Sequence, residues 1–297
     1  MQTYHVTSRP AERLAAFFEL CKPRVNTLIV FTAMIGMWLA SPEMTQPARY
    51  LFASIGIALV AGAAAAINCL VERTSDALMT RTRSRATARG SISAIETLTL
   101  ATLIGGFGLW LLHTRVNDLT MWLTLATFLG YAVIYTVVLK PMTPMNIVIG
   151  GAAGAMPPVL GWAAMTNTVG IEAFALFLII FMWTPPHFWS LACYRREEFA
   201  KASLPMLPVT HGLKYTCRHI LLYTVLLVAS TLLPVWIGLS GWLYLAAALA
   251  LDAGFLGYAI RLCRRYDDAL SRRTFRYSIV YLTLLFTALI LDRLLRF

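Results

Sequence analysis

Nine apolar stretches divide the chain, and they constrain its fold more than any other feature of the sequence. Each stretch is close to the ~20 residues that a helix needs to cross the hydrocarbon core of a bilayer. Backbone groups in lipid must find hydrogen-bond partners within their own segment, so each stretch is predicted to be an α-helix. The predicted spans are residues 25–41, 47–71, 92–112, 119–139, 145–165, 170–193, 216–238, 241–262 and 277–294.

The composition agrees with a protein that lives in the membrane. Hydrophobic residues make up 59% of the chain and charged residues 13%, whereas a soluble domain carries about 25% charged residues. The sequence therefore predicts an all-α, polytopic membrane protein with a single integral domain over residues 1–297. Residues 1–21 are predicted to form a cytoplasmic N-terminal arm, and residues 22–297 the helical bundle.

The positive charge of the chain is explained by its topology. The net charge is +11, which on its own would also suit a nucleic-acid partner. With the N-terminus in the cytoplasm, however, nearly all lysines and arginines fall on the cytoplasmic side, as the positive-inside rule requires. The exceptions are Arg49, Arg115, Arg293 and Arg296. We therefore predict a multi-pass protein of the cell inner membrane, with an external C-terminus and no nucleic-acid partner.

A weak internal repeat suggests how the spans are arranged. Lys22-Pro23 opens the first span and Lys140-Pro141 opens the fifth, four helices later. An interval of four helices preserves orientation, as in the parallel duplications of other membrane proteins. The pattern predicts two four-helix halves plus a ninth helix around a central cavity, with the second and sixth spans facing each other.

The strongest chemical signal lies at the end of the second span. Asn68, Glu72 and Asp76 are spaced four residues apart, so one amide and two carboxylates share one helical face. They precede a loop rich in arginine. Acids at the mouth of a membrane helix, backed by cations, suit Mg²⁺ and a polyphosphate. The alternative is an ordinary helix end with water-facing charges.

Further cations start helices at the same side of the membrane. Lys22, Arg24 and Lys140 lie there, and Arg81 and Arg83 belong to the arginine-rich loop. These side chains are suited to holding a diphosphate. They are equally suited to anchoring helix ends among anionic lipid headgroups.

A second polar group follows WTPPHFW (183–189) in the sixth span. Two prolines are predicted to interrupt the helix there. If the helix continues, His187, Tyr194, Arg195 and Glu198 share a face. A histidine inside a membrane helix faces protein or a cavity rather than lipid. His187 could therefore ligate haem iron, bond a propionate, or simply bond a neighbouring carbonyl.

The motifs together resemble the UbiA-type intramembrane prenyltransferases over residues 22 to about 285. The acidic motif is common to that superfamily, whereas TPMNIVIGG with PPHFW is typical of its haem-prenylating branch. The stretches that carry the resemblance are KPRVNTL, NCLVERTSDALMTRTRSRATARG, LKPMTPMNIVIGGAAGAMPPVLGW, WTPPHFWSLACYRREEFAKASLPMLPV and FRYSIVYL. The paired aspartates that many members carry after the sixth helix are replaced here by Arg195, Glu197 and Glu198.

The resemblance implies a reaction and a role for each group. A farnesyl group would pass from farnesyl diphosphate to a vinyl group of haem b, with addition of water, giving haem O for terminal oxidases. An oxidase-assembly partner is a further possibility. Mg²⁺ would be held by Asn68, Glu72 and Asp76. The diphosphate would be held by Lys22, Arg24, Arg81, Arg83 and Lys140, and haem by His187, Tyr194, Arg195 and Glu198.

Two other functions remain open from the sequence. A prenyltransferase acting on an aromatic quinone precursor would share the fold and the metal site. A transporter would need polar groups near the middle of the membrane, and only Asp252 in the eighth span lies at such a depth. No partner for Asp252 can be named from the sequence.

Overall fold

The computed structural model describes residues 10–296, and all regular elements in that range are helical. A π-helix, Gly130–Leu139, joins α6 to α7. The α-helices are α1 (Pro10–Leu20), α2 (Pro23–Ala40), α3 (Pro47–Val71), α4 (Arg73–Leu78), α5 (Ala94–Arg115), α6 (Asp118–Leu129), α7 (Lys140–Met142), α8 (Asn146–Ala155), α9 (Pro157–Thr166), α10 (Ile171–Tyr194), α11 (Arg196–Lys201), α12 (Leu207–Thr210), α13 (Gly212–Trp236), α14 (Trp242–Arg264) and α15 (Asp268–Leu294).

Nine spans within residues 10–296 are long and apolar enough to cross a membrane. The all-α, polytopic prediction is confirmed, while the arrangement in two four-helix halves stays a prediction. We call the end of the bundle that carries the loops 72–93, 143–145, 195–211 and 265–267 the basic end.

The bounds of the spans agree with the predicted ones to within a few residues, except in the last helix. α15 begins at Asp268 rather than near residue 277. Asp267 caps it, because its carboxylate accepts the backbone N–H of Leu270 at 3.1 Å. The additional turns bring Arg272 and Arg276 onto a regular helix at the basic end.

The sixth span is continuous, so the prediction that its prolines interrupt it is wrong. α10 runs from Ile171 to Tyr194 with Pro185 and Pro186 inside it. A proline removes only its own N–H donor from the helix, and a buried helix held by its neighbours tolerates that loss. The continuity keeps His187 on a rigid element.

The fourth span changes its pitch before it reaches the basic end. α6 ends at Leu129, and the following ten residues form the π-helix, a rare form that is frequent at functional sites. The hydroxyl of Thr136 donates to the carbonyl of Tyr131, five residues earlier, at 2.8 Å. This segment was predicted as plain α-helix, since hydropathy carries no information on pitch.

Close helix contacts depend on small residues in the middle of the bundle. α2 and α9 pack together, as do α3 and α5. At Gly161 an added Cβ would lie 1.9 Å from the carbonyl oxygen of Ala33, and at Gly36 it would lie 2.1 Å from that of Pro158. These two backbones therefore touch, as small residues allow in membrane helices.

The buried acid in the eighth span has structural partners. Asp252 accepts hydrogen bonds from Thr231 at 2.8 Å and from Tyr281 at 2.6 Å. These residues belong to α13 and α15, so the carboxylate ties three helices together. Both carboxylate oxygens are engaged within the protein, which removes the feature that favoured a transport path.

The N-terminal arm is partly helical. α1 spans Pro10–Leu20, and the rest of the predicted arm, residues 1–9, lies outside the described residues. The chain then turns at Lys22, whose φ of +47° is left-handed. A lysine in this conformation is strained, and the strain lies where α2 begins at Pro23.

Candidate active site

The acidic motif lies at the junction of α3 and α4, at the basic end. Asn68 belongs to the last turn of α3 and Asp76 to α4, and both are buried. The helix assignment breaks at Glu72, but the backbone bonds from Glu72 N to Asn68 O and from Asp76 N to Glu72 O are kept at 3.0 and 2.8 Å. Helical register therefore persists across the break, and the three side chains stay near one another.

Each residue of this motif is paired with one cation from a different part of the chain. Lys22 Nζ donates to Asn68 Oδ1 at 2.5 Å. Lys140 Nζ donates to Glu72 Oε1 at 2.5 Å. Arg85 Nη1 donates to Asp76 Oδ2 at 2.6 Å. The first two pairs bring together two Lys-Pro pairs that are remote in sequence. Lys22-Pro23 starts the first span as predicted, whereas Lys140-Pro141 lies in the last turn of the fourth span rather than at the start of the fifth.

Asn68 is the centre of this network. Its Nδ2 donates to Glu72 Oε1 at 2.6 Å and to the Thr136 hydroxyl at 3.1 Å. Thr136 can accept this bond because its own proton is directed to the carbonyl of Tyr131. The π-helix thus supports the site directly.

Burial and neighbouring charges shift the pKa values of three groups at the site. Burial would raise the pKa of Glu72, but Lys140, Lys22 and Asn68 outweigh it, and the net pKa lies below its usual value. Burial works to lower the pKa of Arg85, but the Asp76 carboxylate raises it above its usual value. For Lys22, burial is the largest influence, and its pKa is lowered.

The cations predicted from the sequence divide into two groups. Lys22 and Lys140 are part of the network, and Arg81 interacts electrostatically with Asp76. Arg24 and Arg83 are exposed, and within residues 10–296 their side chains make no hydrogen bond or ion pair. Their role in holding a diphosphate stays a prediction.

Two contributors were not among the residues assigned a binding role from the sequence, namely Arg85, which was predicted only as one arginine of the basic loop, and Thr136. Arg85 lies in the same RTRSR run as Arg81 and Arg83, so the run was a signal for cations but did not distinguish among them. Thr136 lies in an apolar span and gave no signal that could have identified it. Both became apparent only through their contacts.

The second predicted group is also assembled at the basic end. The imidazole of His187 stacks on Phe275, with ring centroids 4.7 Å apart, and Tyr194 meets the same Phe275 ring edge-on at 6.3 Å. Arg195 pairs with Glu198 at 3.1 Å. The side chains of His187 and Tyr194 are thus linked through α15 rather than by direct contact.

Arg81, whose side chain is exposed, is within electrostatic reach of both groups. Its guanidinium interacts with Asp76 and Glu72, and also with Arg195. Burial lowers the pKa of Arg81, and the like charges of Arg85 and Arg195 lower it further. The acidic motif and the His187 group therefore belong to one continuous charged region at the basic end.

An apolar cavity leads away from this region into the membrane-spanning part of the bundle. We call it the first cavity. Its volume is about 250 Å³, and it extends from Lys22 past Tyr131 to Ile57 and Leu160. Asn26 also lines it, one turn beyond Lys22, and its Oδ1 is enclosed without a hydrogen-bond partner in the described part of the chain. A charged mouth on an apolar channel suits an amphiphile with an anionic head.

Comparison with known sequences assigns nearly the whole chain to the family that its motifs resemble. The profile of the UbiA prenyltransferase family matches residues 29–288. A protein of Dechloromonas aromatica, named protoheme IX farnesyltransferase, is 68% identical over 99% of both chains. A protein of the same name from Azoarcus is 62% identical, over 96% of this chain and 95% of its own.

Solved structures share the fold at low sequence identity. A digeranylgeranylglyceryl phosphate synthase superposes with a TM-score of 0.81 at 18% identity, covering 95% of this chain and 98% of its own. A UbiA homologue from Archaeoglobus fulgidus, bound to GPP and Mg²⁺, gives a TM-score of 0.58 at 14% identity, covering 92% and 99%. With the family match over most of its length, the chain belongs to the UbiA prenyltransferase family.

Proposed function

We propose that this protein transfers the farnesyl group of farnesyl diphosphate to a vinyl group of haem b, with addition of water, to give haem O and diphosphate. The observation that carries the proposal is a network of three acid or amide groups and three cations, one of which, Lys22, also lines an apolar cavity. The name shared by relatives at 58–68% identity supports haem as the acceptor.

The donor set at the mouth fits a magnesium ion. Mg²⁺ prefers oxygen ligands and is usually bound by one or two carboxylates together with substrate phosphates. Asn68 Oδ1 and the carboxylates of Glu72 and Asp76 are such ligands, and each is engaged by a cation in the structure. These three residues would hold the ion, which supplies positive charge to the leaving diphosphate.

Four cations near these ligands would hold the diphosphate itself. Lys22, Lys140 and Arg85 each contact a member of the acidic motif, and Arg81 lies within electrostatic reach of it. Cations held in place before the reaction stabilise the charge that develops on the leaving group without having to reorganise. The farnesyl chain would then occupy the first cavity.

The bond changes balance as follows. The bond between farnesyl C1 and the diphosphate oxygen breaks, and its electron pair leaves with the diphosphate. The π electrons of a haem vinyl group form the new carbon–carbon bond. The carbocation left beside the pyrrole takes up water, which loses a proton. The apolar walls of the first cavity protect the allylic cation from early capture by water.

Haem would be placed by the second group of residues. Tyr194 supplies aromatic surface next to Phe275, and His187, which stacks on the same Phe275, would present the edge of its imidazole. Arg195 supplies a cation for a propionate. Glu198 would act indirectly, because an anion cannot bind a propionate but its ion pair orients Arg195.

The cellular setting follows from the charge distribution. We assign the basic end to the cytoplasmic side of the inner membrane, with the N-terminus inside and the C-terminus outside. The single domain would then take haem b and farnesyl diphosphate at that side and supply haem O to terminal oxidases. A protein that assembles such an oxidase would be the natural recipient.

A transfer assay in detergent tests the reaction. Purified protein with haem b, farnesyl diphosphate and Mg²⁺ is expected to yield, by mass spectrometry, haem heavier by one farnesyl group and one hydroxyl group. Chelation of the metal, or Asp76→Asn, is expected to lower the rate by about 100-fold or more. Glu43→Gln, an exposed acid at the opposite end, is the matched control and should leave the rate unchanged.

Two outcomes would contradict the proposal. Farnesylation of an aromatic acid with haem left unmodified would assign the protein to quinone synthesis. Failure of both acceptors to react in a folded preparation would exclude prenyl transfer to either class.

A further inference from the structure

A second cavity lies beside the first and opens between α2 and α15. Its volume is about 180 Å³, and its walls come from α2, α10 and α15. Leu28, Thr32, Trp183 and Leu282 line both cavities. A molecule in the second cavity would therefore lie next to a chain in the first.

His187 is the polar group that this cavity offers to a ligand. The cavity is otherwise lined mainly by aliphatic and aromatic side chains. Thr32 and Thr283 also line it, but their hydroxyls donate to carbonyls of their own helices at 3.0 Å. Neither threonine therefore has a free proton to donate.

The imidazole of His187 is held on both faces. The indole of Trp183 stacks on it with ring centroids 4.1 Å apart, and the ring of Phe275 stacks at 4.7 Å. The indole is itself fixed, because its Nε1 donates to the carbonyl of Ser278 at 2.9 Å. Only the edge of the imidazole remains free to meet a ligand.

Ser278 determines which imidazole nitrogen carries the proton. Its hydroxyl donates to the carbonyl of Phe275 at 2.7 Å, so that hydroxyl is left as an acceptor. It lies 2.7 Å from Nδ1 of His187, and the bond forms only if Nδ1 carries a proton and donates it. The tautomer with a proton on Nδ1 leaves a lone pair on Nε2.

The Nε2 atom is both free and accessible. It makes no hydrogen bond within residues 10–296, and it is not among the enclosed polar atoms of that part of the chain. A lone pair on an imidazole whose other nitrogen donates to an oriented acceptor is the usual arrangement of a histidine that ligates a metal. Here the lone pair lies in an apolar, aromatic cavity.

We propose that Nε2 of His187 is an axial ligand to the iron of the porphyrin acceptor, which enters the second cavity from the lipid between α2 and α15. This inference rests on the proposed function. It specifies that the acceptor is recognised by its metal as well as by its ring. Because the two cavities share lining residues, the edge of the porphyrin would then lie next to the prenyl chain in the first cavity.

The charge around the second cavity suits a porphyrin with two carboxylates. Phe275 and Ile279 line the cavity from α15, and Arg272 and Arg276 lie on the same stripe of that helix, toward the basic end. The guanidinium of Arg272 lies 5.1 Å from the ring centroid of Tyr194. Propionates at these arginines would fix the orientation of the ring about the axis of the iron–histidine bond.

Binding of three porphyrins to the detergent-solubilised protein separates iron ligation from ring binding. Ferric haem b and zinc protoporphyrin accept an axial nitrogen, whereas metal-free protoporphyrin does not. His187→Ala is expected to weaken binding of both metalloporphyrins by at least about 100-fold, since loss of a supporting partner alone costs roughly 10- to 100-fold. Binding of metal-free protoporphyrin should be unchanged.

The matched control is His219→Ala. His219 is also in a membrane helix, with Nδ1 at 3.0 Å from the Tyr215 carbonyl and aromatic neighbours on α10 and α13, but it lies outside both cavities. Its loss should change none of the three affinities. Free imidazole is expected to restore the haem spectrum of His187→Ala but not to alter that of His219→Ala.

Two further variants keep the test decisive. Ser278→Ala should weaken haem binding about 10-fold through loss of the oriented tautomer. If His187→Ala does not fold, His187→Met should fold and give a haem spectrum with a sulfur ligand.

The outcomes distinguish this inference from the proposed function. Haem binding with an unchanged spectrum in His187→Ala, together with normal farnesyl transfer, would overturn the ligand assignment alone. Absence of binding for all three porphyrins in the unsubstituted protein would overturn the haem function as well.

Discussion

At the scale of single residues, the Asp76–Arg85 pair has a role that charge counting did not identify. The Asp76 side chain is 3% exposed and that of Arg85 18%. A carboxylate so deeply buried requires a partner, and removal of one member of a buried pair costs about 3–5 kcal/mol. The same carboxylate is proposed to hold the metal, so this residue is expected to affect both stability and catalysis.

Substitution of both partners separates these two roles. Arg85→Met should destabilise the protein by about 3–5 kcal/mol, because the charge of Asp76 is left without a partner. Adding Asp76→Asn should recover most of that stability, since a neutral amide needs no counter-ion, while farnesyl transfer stays lost. Stability is measured by thermal denaturation in detergent, and Arg83→Met, an exposed arginine of the same loop, is the control.

Equal stability of all these proteins would mean that solvent screens the Asp76–Arg85 pair. Recovery of transfer in the double variant would mean that neither side chain takes part in the reaction.

The sequence identified which residues belong to the site more reliably than it identified which of them pair with one another. Asn68, Glu72, Lys22 and Lys140 were identified because each lies at a predicted helix end on one side of the membrane. Arg85 could not be selected over Arg81 and Arg83, because the conformation of an arginine-rich loop depends on tertiary contacts and not on local periodicity.

At the scale of elements, the contact between α2 and α9 depends on two glycines. A Cβ at Gly161 would lie 1.9 Å from the backbone oxygen of Ala33, which cannot move without shifting α2. Overfilling a packed site costs roughly 1–3 kcal/mol, occasionally more. This contact also forms part of the wall behind the first cavity.

Gly161→Ala is therefore expected to destabilise the protein by at least about 1–3 kcal/mol, measured as a lower melting temperature in detergent. Gly257→Ala is the matched control, since no atom lies within 4 Å of a Cβ at that position. Replacing a helical glycine by alanine at such an open position should leave the stability unchanged or raise it slightly. Equal melting temperatures for the two variants would show that α2 and α9 separate at little cost.

The elements themselves were largely predictable, because hydropathy marks the length of each span. The pitch of the helices and their continuity across prolines were not predictable. The π-helix at Gly130–Leu139 has the same composition as an α-helix, and the proline pair in α10 is accommodated by packing that no local pattern reveals. The start of α15 was missed because its first turns are charged and extend beyond the apolar core.

At the scale of the whole molecule, the charges define an orientation. Apart from Arg49, Arg115, Arg293 and Arg296, the lysines and arginines of the sequence are all predicted to lie on the cytoplasmic side. In this proposed orientation, the acidic motif and its cations would face the compartment where water-soluble diphosphates are available. It also leaves the apolar cavities within reach of lipid-soluble substrates.

Labelling of single cysteines tests that orientation. In a chain whose five native cysteines are replaced by alanine, Thr45→Cys should react with a membrane-impermeant maleimide in right-side-out vesicles. Ser84→Cys should react only after the vesicles are opened. Both positions are exposed, so equal accessibility is expected in detergent. The reverse pattern would invert the assignment and place the site outside.

The π-helix also determines where the chain can change in length. In a π-helix each backbone hydrogen bond joins residues five apart rather than four, so each turn contains an extra residue. Here the π-helix contains Tyr131 and Thr136 and ends next to Lys140. Removing one residue would rotate Lys140 by about a quarter of a turn relative to Tyr131, away from Glu72. We therefore expect a one-residue deletion in this apolar segment to disrupt the Lys140–Glu72 pair, although its sequence resembles an ordinary membrane helix.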